Sequence, residues 1–305
     1  MQSRIEIAAP AKINLTLDVK GKRTDGYHEL ETIMMQIDLQ DRITIEKASP
    51  GHIAIDSNSS LIPHNEENLA HRAAALFIDK YAIGAGVKIF IEKNIPIGAG
   101  LAGGSSDAAA VLWGLNLLFD CKLAKTDLLT LAARVGSDVP FCLLGGCALA
   151  RGRGEILQPL VSRVPLCLLL VKPDFQVSTA EVYRQFDFTR IERFPDTAGF
   201  LESWQHCDII GIAEHMVNVL ESVTIRKFPE IALIKTKMKK LGALNALMSG
   251  SGPSVFGIFN EKKRAFEAME TMKTSYREVF LVSSLSIQET AAKQFQQNLI
   301  IPKGN

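Results

Sequence analysis

The chain has 305 residues, 47% of them hydrophobic and 22% charged, with a formal net charge of +1. That length is generous for one core and comfortable for two domains. The near-neutral balance gives no electrostatic argument for nucleic acid or an anionic membrane as partner, and no apolar run approaches a bilayer span.

Strand character starts almost at the first residue, and MQSRIEIAAPAKINL lacks the basic, apolar and small order of a signal peptide. Residues 3–8 and 11–19 alternate as strands, as does IEIAAPAKINLTLDV (5–19) overall. Asp25-Gly26 marks a turn, and residues 27–37, 42–47 and 52–56 extend again. From Asn68, a good N-cap, LAHRAAALFIDKY takes helical spacing until Gly84 and Gly86. VKIFIEK (87–93) is a strand. A glycine-rich loop follows, then a helix from about 106 to 119 and a second over roughly 126–135, stopped by Gly136. GCALAR (146–151) extends again. In the second half PLCLLLVKP (165–173) is a buried strand, and STAEVYRQF (178–186) is a helix capped by Ser178 or Thr179. Helices at about 208–221 and 229–241 precede ALNALMSGSGPSVFGIF (243–259), two apolar runs around a glycine turn. A helix at 261–277 and a strand at 279–286 close the pattern. This order predicts an α+β sandwich with helices on one face. KTKMKK (235–240) reads as the solvated face of a helix. Cys121, Cys142, Cys147, Cys167 and Cys207 form no CxxC pair, so reduced thiols acting as small buried hydrophobes, and a cytoplasmic location, are expected.

The stretch IPIGAGLAGGSSDAA (95–109) carries the chemistry. It sets Gly98, Gly100, Gly103 and Gly104 ahead of an alanine-rich helix, with Ser105 and Ser106 at the junction. Such a loop exposes backbone N–H groups at the positive end of a helix dipole, a combination that binds phosphate. The serines add hydroxyl donors, or ligands for a metal riding on the phosphates. A P-loop lysine is absent. The string Gly98–Gly103 matches GxGxxG, but no second strand ending in an acid follows it. A plain strand–helix connection is the blander alternative, and it needs fewer glycines.

PxxxGLxGGSSDAA resembles the second motif of the GHMP small-molecule kinases, and SGSGPSVFGIF (249–259) resembles their third. PAKINL (10–15) with DGYHEL (25–30), and GSDVPF (136–141) with GRGE (152–155), resemble one branch of that family. That branch acts on a cytidine diphosphate-linked polyol in non-mevalonate isoprenoid precursor synthesis. The resemblance implies a two-domain GHMP kinase fold: a ribosomal protein S5 domain 2-like domain over 1–158, a ferredoxin-like domain over 159–305, and a site in the cleft between them.

The implied activity is transfer of the γ-phosphoryl of ATP to a substrate hydroxyl, with Mg²⁺ bridging phosphate oxygens. Pro96, Ile97, Gly98, Ala99, Gly100, Leu101, Ala102, Gly103, Gly104, Ser105 and Ser106 are then the ATP cradle, and Asn68 and Lys93 adenine contacts. Lys12 is the cation near the transferring group, and Asp138 the carboxylate that orients the hydroxyl and could accept its proton. On the substrate side the resemblance nominates Asn14 beside Lys12, Tyr27 as a stacking face, His28 as reader of the cytosine edge, Thr179, and Tyr183 as a second stacking face. The implied partner is a small molecule, with no nucleic acid and no membrane.

Taken singly, these residues have ordinary readings. Lys12 is an exposed strand residue, Asp138 a turn cap, Asn68 an N-cap and Lys93 a strand-end charge. Tyr27 is a core rim, His28 a surface histidine and Tyr183 a packing residue. The histidines at 52, 64, 71, 206 and 215 show no metal spacing. Arg151 and Arg153 face either phosphates or solvent. Ala102 stands where the family often has glycine. Two rivals remain: a sibling kinase for homoserine, mevalonate or phosphomevalonate, and a non-catalytic nucleotide sensor that needs neither Lys12 nor Asp138.

Overall fold

The computed structural model describes residues 3–161 and 165–296. The expected strand character of residues 1–2, and positions 162–164 and 297–305 of the expected second domain, lie outside the described residues.

Two long strands organise the first half. β1 (Arg4–Lys22) and β2 (His28–Ala48) pair antiparallel across the Asp25-Gly26 turn. The stretches expected at 3–8 and 11–19, which also alternate as one run over 5–19, are one strand, and those expected at 27–37 and 42–47 are another. Register shifts at Pro10/Lys12, Asn14/Thr16 and Val19/Gly21 bend the pair without ending it, and a bulge breaks alternation in sequence as a strand end would. β3 (Ile53–Ser57) lies parallel to β4 (Gly86–Glu92), which pairs with β2. β5 (Cys147–Gly152) also pairs with β2, and β6 (Ile156–Leu160), unexpected from the sequence, pairs with β5.

Four helices cover this sheet: α1 (Leu69–Lys80), α2 (Gly103–Leu118), α3 (Lys125–Val135) and the short, unexpected α4 (Val139–Leu144). α2 is buried along most of its length, with Ala108, Val111, Leu112 and Leu115 packed on Ile7, Ile43, Ile45 and Ile89. An apolar helix buried all round forms the middle of a core.

The second sheet contains β7 (Cys167–Lys172), β8 (Asn245–Met248), β9 (Val255–Phe259) and β10 (Glu278–Ser283), all antiparallel in the order β10-β7-β9-β8. Between β7 and β8 run α5 (Thr179–Arg184), α6 (Thr197–Gln205), α7 (Ile209–Glu214), α8 (Glu221–Lys227) and α9 (Glu230–Lys240). α10 (Lys262–Lys273) joins β9 to β10, and α11 (Ile287–Gln296) follows. Strand, helices, two strands, helix, strand in this antiparallel order is the ferredoxin-like arrangement.

The helix expected over 208–221 stops at Glu214. Residues beyond it extend because Leu17 exchanges backbone bonds with Val217 and Val219, a pairing with β1 that local pattern does not reveal. α6 and α11 were not expected either.

Alternation along β7 and β9 divides the second sheet between two layers. Leu169, Val171, Val255 and Phe259 pack with Ile231, Ile234, Met238 and Met272 of α9 and α10. Leu168, Leu170, Phe256 and Ile258 share a core with Ala11, Ile13, Leu15, Ile33, Met35 and Ile37 of β1 and β2. α9 and α10 thus sit on one face, and the other rests on the first sheet, where α6 and α7 also pack through Phe200, Trp204, Ile212 and Ala213; the helices expected on one face are divided between two. β6 ends at Leu160 and β7 opens the second sheet at Cys167, so the expected division at 158/159 falls inside β6.

Candidate active site

The glycine-rich stretch leaves β4 and enters α2 at Gly103, three residues ahead of the expected start at 106. Gly98 and Gly100 have φ of +66° and +75°. At Gly100 space is also short: a Cβ there would lie 2.3 Å from the carbonyl oxygen of Ser249. Ala102, the N-cap, is left-handed at φ 54°, a conformation that glycine adopts without strain. No side chain caps α2 and no acid lies in its first turn, so the first N–H groups of the helix have no intrahelical partner. Two bonds hold the loop against β1. Lys12 N–H donates to the Leu101 carbonyl at 3.1 Å, and the Ser106 hydroxyl donates to the Pro10 carbonyl at 2.6 Å.

A cleft of about 1170 Å³ runs along this loop between the two halves of the chain. It is lined by Pro96–Ser105, Asn68, Lys93, Lys12, Asn14, Asp138, Tyr27, His28, Thr179 and Tyr183. Of the residues nominated from sequence, Ser106 alone does not line it: its side chain is buried and spent on Pro10.

Lys12 sits at the bulge of β1 and is only 5% exposed. Its Nζ donates to Asn14 Oδ1 at 2.7 Å and lies 3.5 Å from Asp138 Oδ2. Asn14 is held in turn by donating to Thr32 Oγ1 at 2.8 Å. Asp138 precedes α4 but makes no capping hydrogen bond, so its carboxylate is left for Lys12 and the cleft. The second half of the chain closes this point: a Cβ on Gly250 would be 3.7 Å from Lys12 Nζ, and Thr179 Oγ1 meets Ser251 Oγ at 2.8 Å.

At the other end, Asp25 Oδ1 accepts from Tyr27 N–H at 3.1 Å, and the Tyr27 ring is 52% exposed with the Arg153 guanidinium 5.0 Å over its face. Arg153 thus belongs to the cleft, whereas Arg151 pairs with Glu31 outside it. The His28 ring stacks on Tyr183 at 5.2 Å and 29°, with Phe186 edge-on at 6.3 Å. Burial, and then Lys22, hold the His28 pKa below its usual value, so the ring is neutral at pH 7. Burial, with Asp138 nearby, pushes the Tyr183 hydroxyl far above its usual range.

Lys93 is not a surface charge at a strand end. Its Nζ contacts the buried carboxylates of Asp41 and, at 2.8 Å, Asp107. Burial disfavours its charge, but Asp107 and Asp41 outweigh that and raise its pKa. Burial pushes the Asp107 carboxyl well up, against the pull of Lys93. Asp41 also accepts from Asn94 and Ile95 N–H, so the cluster fixes the start of the loop. Asp41 and Asp107 escaped the sequence reading because they lie on β2 and α2, and only the fold joins them to Lys93. Asn68 caps α1 through Ala70 N–H at 2.9 Å and lines the cleft as well.

Residues 68–146 match the family model described as GHMP kinases N terminal domain, and residues 206–278 match GHMP kinases C terminal. The 4-diphosphocytidyl-2-C-methyl-D-erythritol kinase of Syntrophomonas wolfei subsp. wolfei is 62% identical over 93% of this chain and 99% of its own. Its counterpart from Alkaliphilus metalliredigens is 47% identical over 93% and 97%. A crystal structure of 4-(cytidine 5'-diphospho)-2C-methyl-D-erythritol kinase superposes with a TM-score of 0.79 at 37% identity, covering 92% of this chain and 99% of that one. Homoserine kinase from Cytophaga hutchinsonii, at 19% identity and a TM-score of 0.77 over 94% and 96%, shares the fold. With identity of this order along nearly its whole length, the chain belongs to the 4-diphosphocytidyl-2-C-methyl-D-erythritol kinases, a branch of the GHMP kinases.

Proposed function

We propose that the protein transfers the γ-phosphoryl group of ATP to the 2-hydroxyl of the methylerythritol moiety of 4-diphosphocytidyl-2-C-methyl-D-erythritol. The observation that carries this is the Lys12–Asp138 pair, 3.5 Å apart, set between an uncapped helix N-terminus and a group of aromatic rings. The N–H groups of the loop and of Gly103–Ser105 bind the phosphates. Tyr27 and Tyr183 offer faces to the cytosine, with neutral His28 at its edge, and Asn14 and Thr179 contact the polyol portion. Asp138 orients the attacking hydroxyl and takes its proton as the new O–P bond forms and the bond to the β-phosphate oxygen breaks. Lys12, its charge kept in place by Asn14 and Asp138, stabilises the negative charge that develops on the transferring group.

Ser105 is a hard oxygen donor lining the same cleft, the donor type Mg²⁺ takes alongside phosphate oxygens, and it would hold the ion together with the phosphates. Bound there, Mg²⁺ neutralises phosphate charge. Asn68 lines the cleft beside the loop and borders the adenine, and Lys93, its ammonium held by Asp41 and Asp107, does so through its alkyl stem.

The test is ADP release by purified protein with ATP and Mg²⁺, run on 4-diphosphocytidyl-2-C-methyl-D-erythritol, homoserine, mevalonate, phosphomevalonate and no acceptor. Turnover with the cytidine compound alone is expected. Turnover with another acceptor would keep the phosphate loop and discard the cytidine assignment. Folded, ATP-binding protein that turns over nothing would make it a sensor.

A further inference from the structure

The C-terminal helix returns to the first sheet at one buried side chain, Gln36. After β10 the chain follows the edge of β2: Ser284 bridges Ile37, and Leu285 N–H donates to the Gln36 carbonyl at 2.8 Å. α11 then brings Thr290, buried at 2% exposure, with its hydroxyl 2.8 Å from Gln36 Oε1. The same oxygen accepts from Gly146 N–H at 3.2 Å. That fixes which way the amide points, so Gln36 Nε2 donates to the Cys142 carbonyl at 3.1 Å. This carbonyl lies in the last turn of α4, where a helix leaves its C=O groups without partners. At the other end of the same turn, Cys142 N–H donates to the Asp138 carbonyl at 3.1 Å. Gln36 also faces Lys12 across the β1–β2 ladder. One hydrogen-bonded line therefore runs from α11 through Gln36 and Cys142 to Asp138, and Gln36 stands opposite Lys12 on the neighbouring strand.

The backbone is shaped for this contact. Gly145 and Gly146, between α4 and β5, have φ of +81° and +69°. A Cβ on Gly145 would lie 2.7 Å from Thr290 Cγ2, and one on Gly146 2.7 Å from the Ile287 nitrogen. α4 has six residues, too few to hold itself as a helix, so its position depends on such anchors.

We propose that Gln36 and Thr290 are positioning residues: α11 is a strap that holds α4, and with it the Asp138 carboxylate, in register with Lys12. The proposal rests on the kinase reading above. The full-length Thr290→Val variant removes the hydroxyl at nearly constant shape, and Thr290→Ser restores it. Thr290→Val is expected to lower kcat about tenfold, with KM for ATP and for the cytidine substrate within about twofold of wild type. Thr290→Ser should keep most of kcat. Hydrogen exchange should quicken over residues 139–146 in Thr290→Val and stay unchanged over α9 and α10. Unchanged kcat, an equal loss in Thr290→Ser, or a KM that rises in step with the loss would overturn the proposal. Wild-type protein without turnover would count against the kinase reading, and exchange would still decide the strap: wild-type protection over 139–146 in Thr290→Val overturns it.

Discussion

The two ends of the cleft are built from different material. At the phosphate end the surface is backbone: Gly98 and Gly100 in left-handed conformations, then the first turn of α2, clamped from behind by Lys93, Asp41 and Asp107. At the base end it is side chain: Tyr27 half exposed under Arg153, and His28 stacked on Tyr183. The contrast follows the ligands. Phosphates ask for N–H groups at close range, which any residue supplies once the backbone is bent. A base asks for flat faces, which only particular side chains supply. Lys12 and Asp138 stand where the two ends meet, and they belong to neither construction.

The largest expected effect lies at that junction. Lys12→Ala and Asp138→Asn should each lower kcat by about 10²–10³ while ATP binding, measured by calorimetry, stays close to wild type. A variant with wild-type kcat would remove that residue from the mechanism. Gly100→Ala should break the phosphate end alone. The added methyl meets the Ser249 carbonyl oxygen in a left-handed residue, a strain of about 1–3 kcal/mol before the clash is counted. A lower melting temperature and a large loss of ATP affinity are expected; native ATP affinity would mean that the loop does not cradle the nucleotide.

These two ends also differ in how far they can be read from sequence. The phosphate end is local. Glycine spacing, two serines and an apolar run lie within one short stretch, and the resemblance to the GHMP kinases rests on the same residues. The base end was legible only through the resemblance, because Tyr27, in the turn before β2, and Tyr183, on α5, reach one cleft only through tertiary packing. What stayed hidden was tertiary throughout. Residues 217–219 fall inside the helix expected over 208–221 yet pair with Leu17. Lys93 finds its partners on β2 and α2. Ser106 looks like a second hydroxyl for phosphate, and the fold uses it as a tie to Pro10. The continuity of β1 was legible in the alternation of IEIAAPAKINLTLDV, whereas β2 read as two stretches, 27–37 and 42–47.

Tyr27→Ala sharpens the comparison from the other side. Base stacking on an aromatic ring contributes about 1–3 kcal/mol, so KM for the cytidine substrate should rise roughly 5- to 150-fold with KM for ATP unchanged. Equal losses for both substrates would show that Tyr27 supports the whole cleft and does not serve the base.

The smallest effect tests whether the phosphate loop still stores strain. Ala102 holds φ 54° and ψ 32°, a conformation that costs an ordinary residue about 1–2 kcal/mol. Glycine removes that cost but returns about 0.4–1 kcal/mol to the unfolded chain as entropy. It also gives up part of the ~0.8 kcal/mol of a buried methyl, since Ala102 packs only partly against the α1–α2 core. The balance favours Ala102→Gly by about 0.5 kcal/mol, a rise of about 1–2 °C in Tm. ATP affinity should not change, because the N–H groups of the loop keep their directions. A fall in Tm would mean that the methyl contributes more to packing than the left-handed backbone costs, and that alanine at this position is held by the core and not tolerated by the loop.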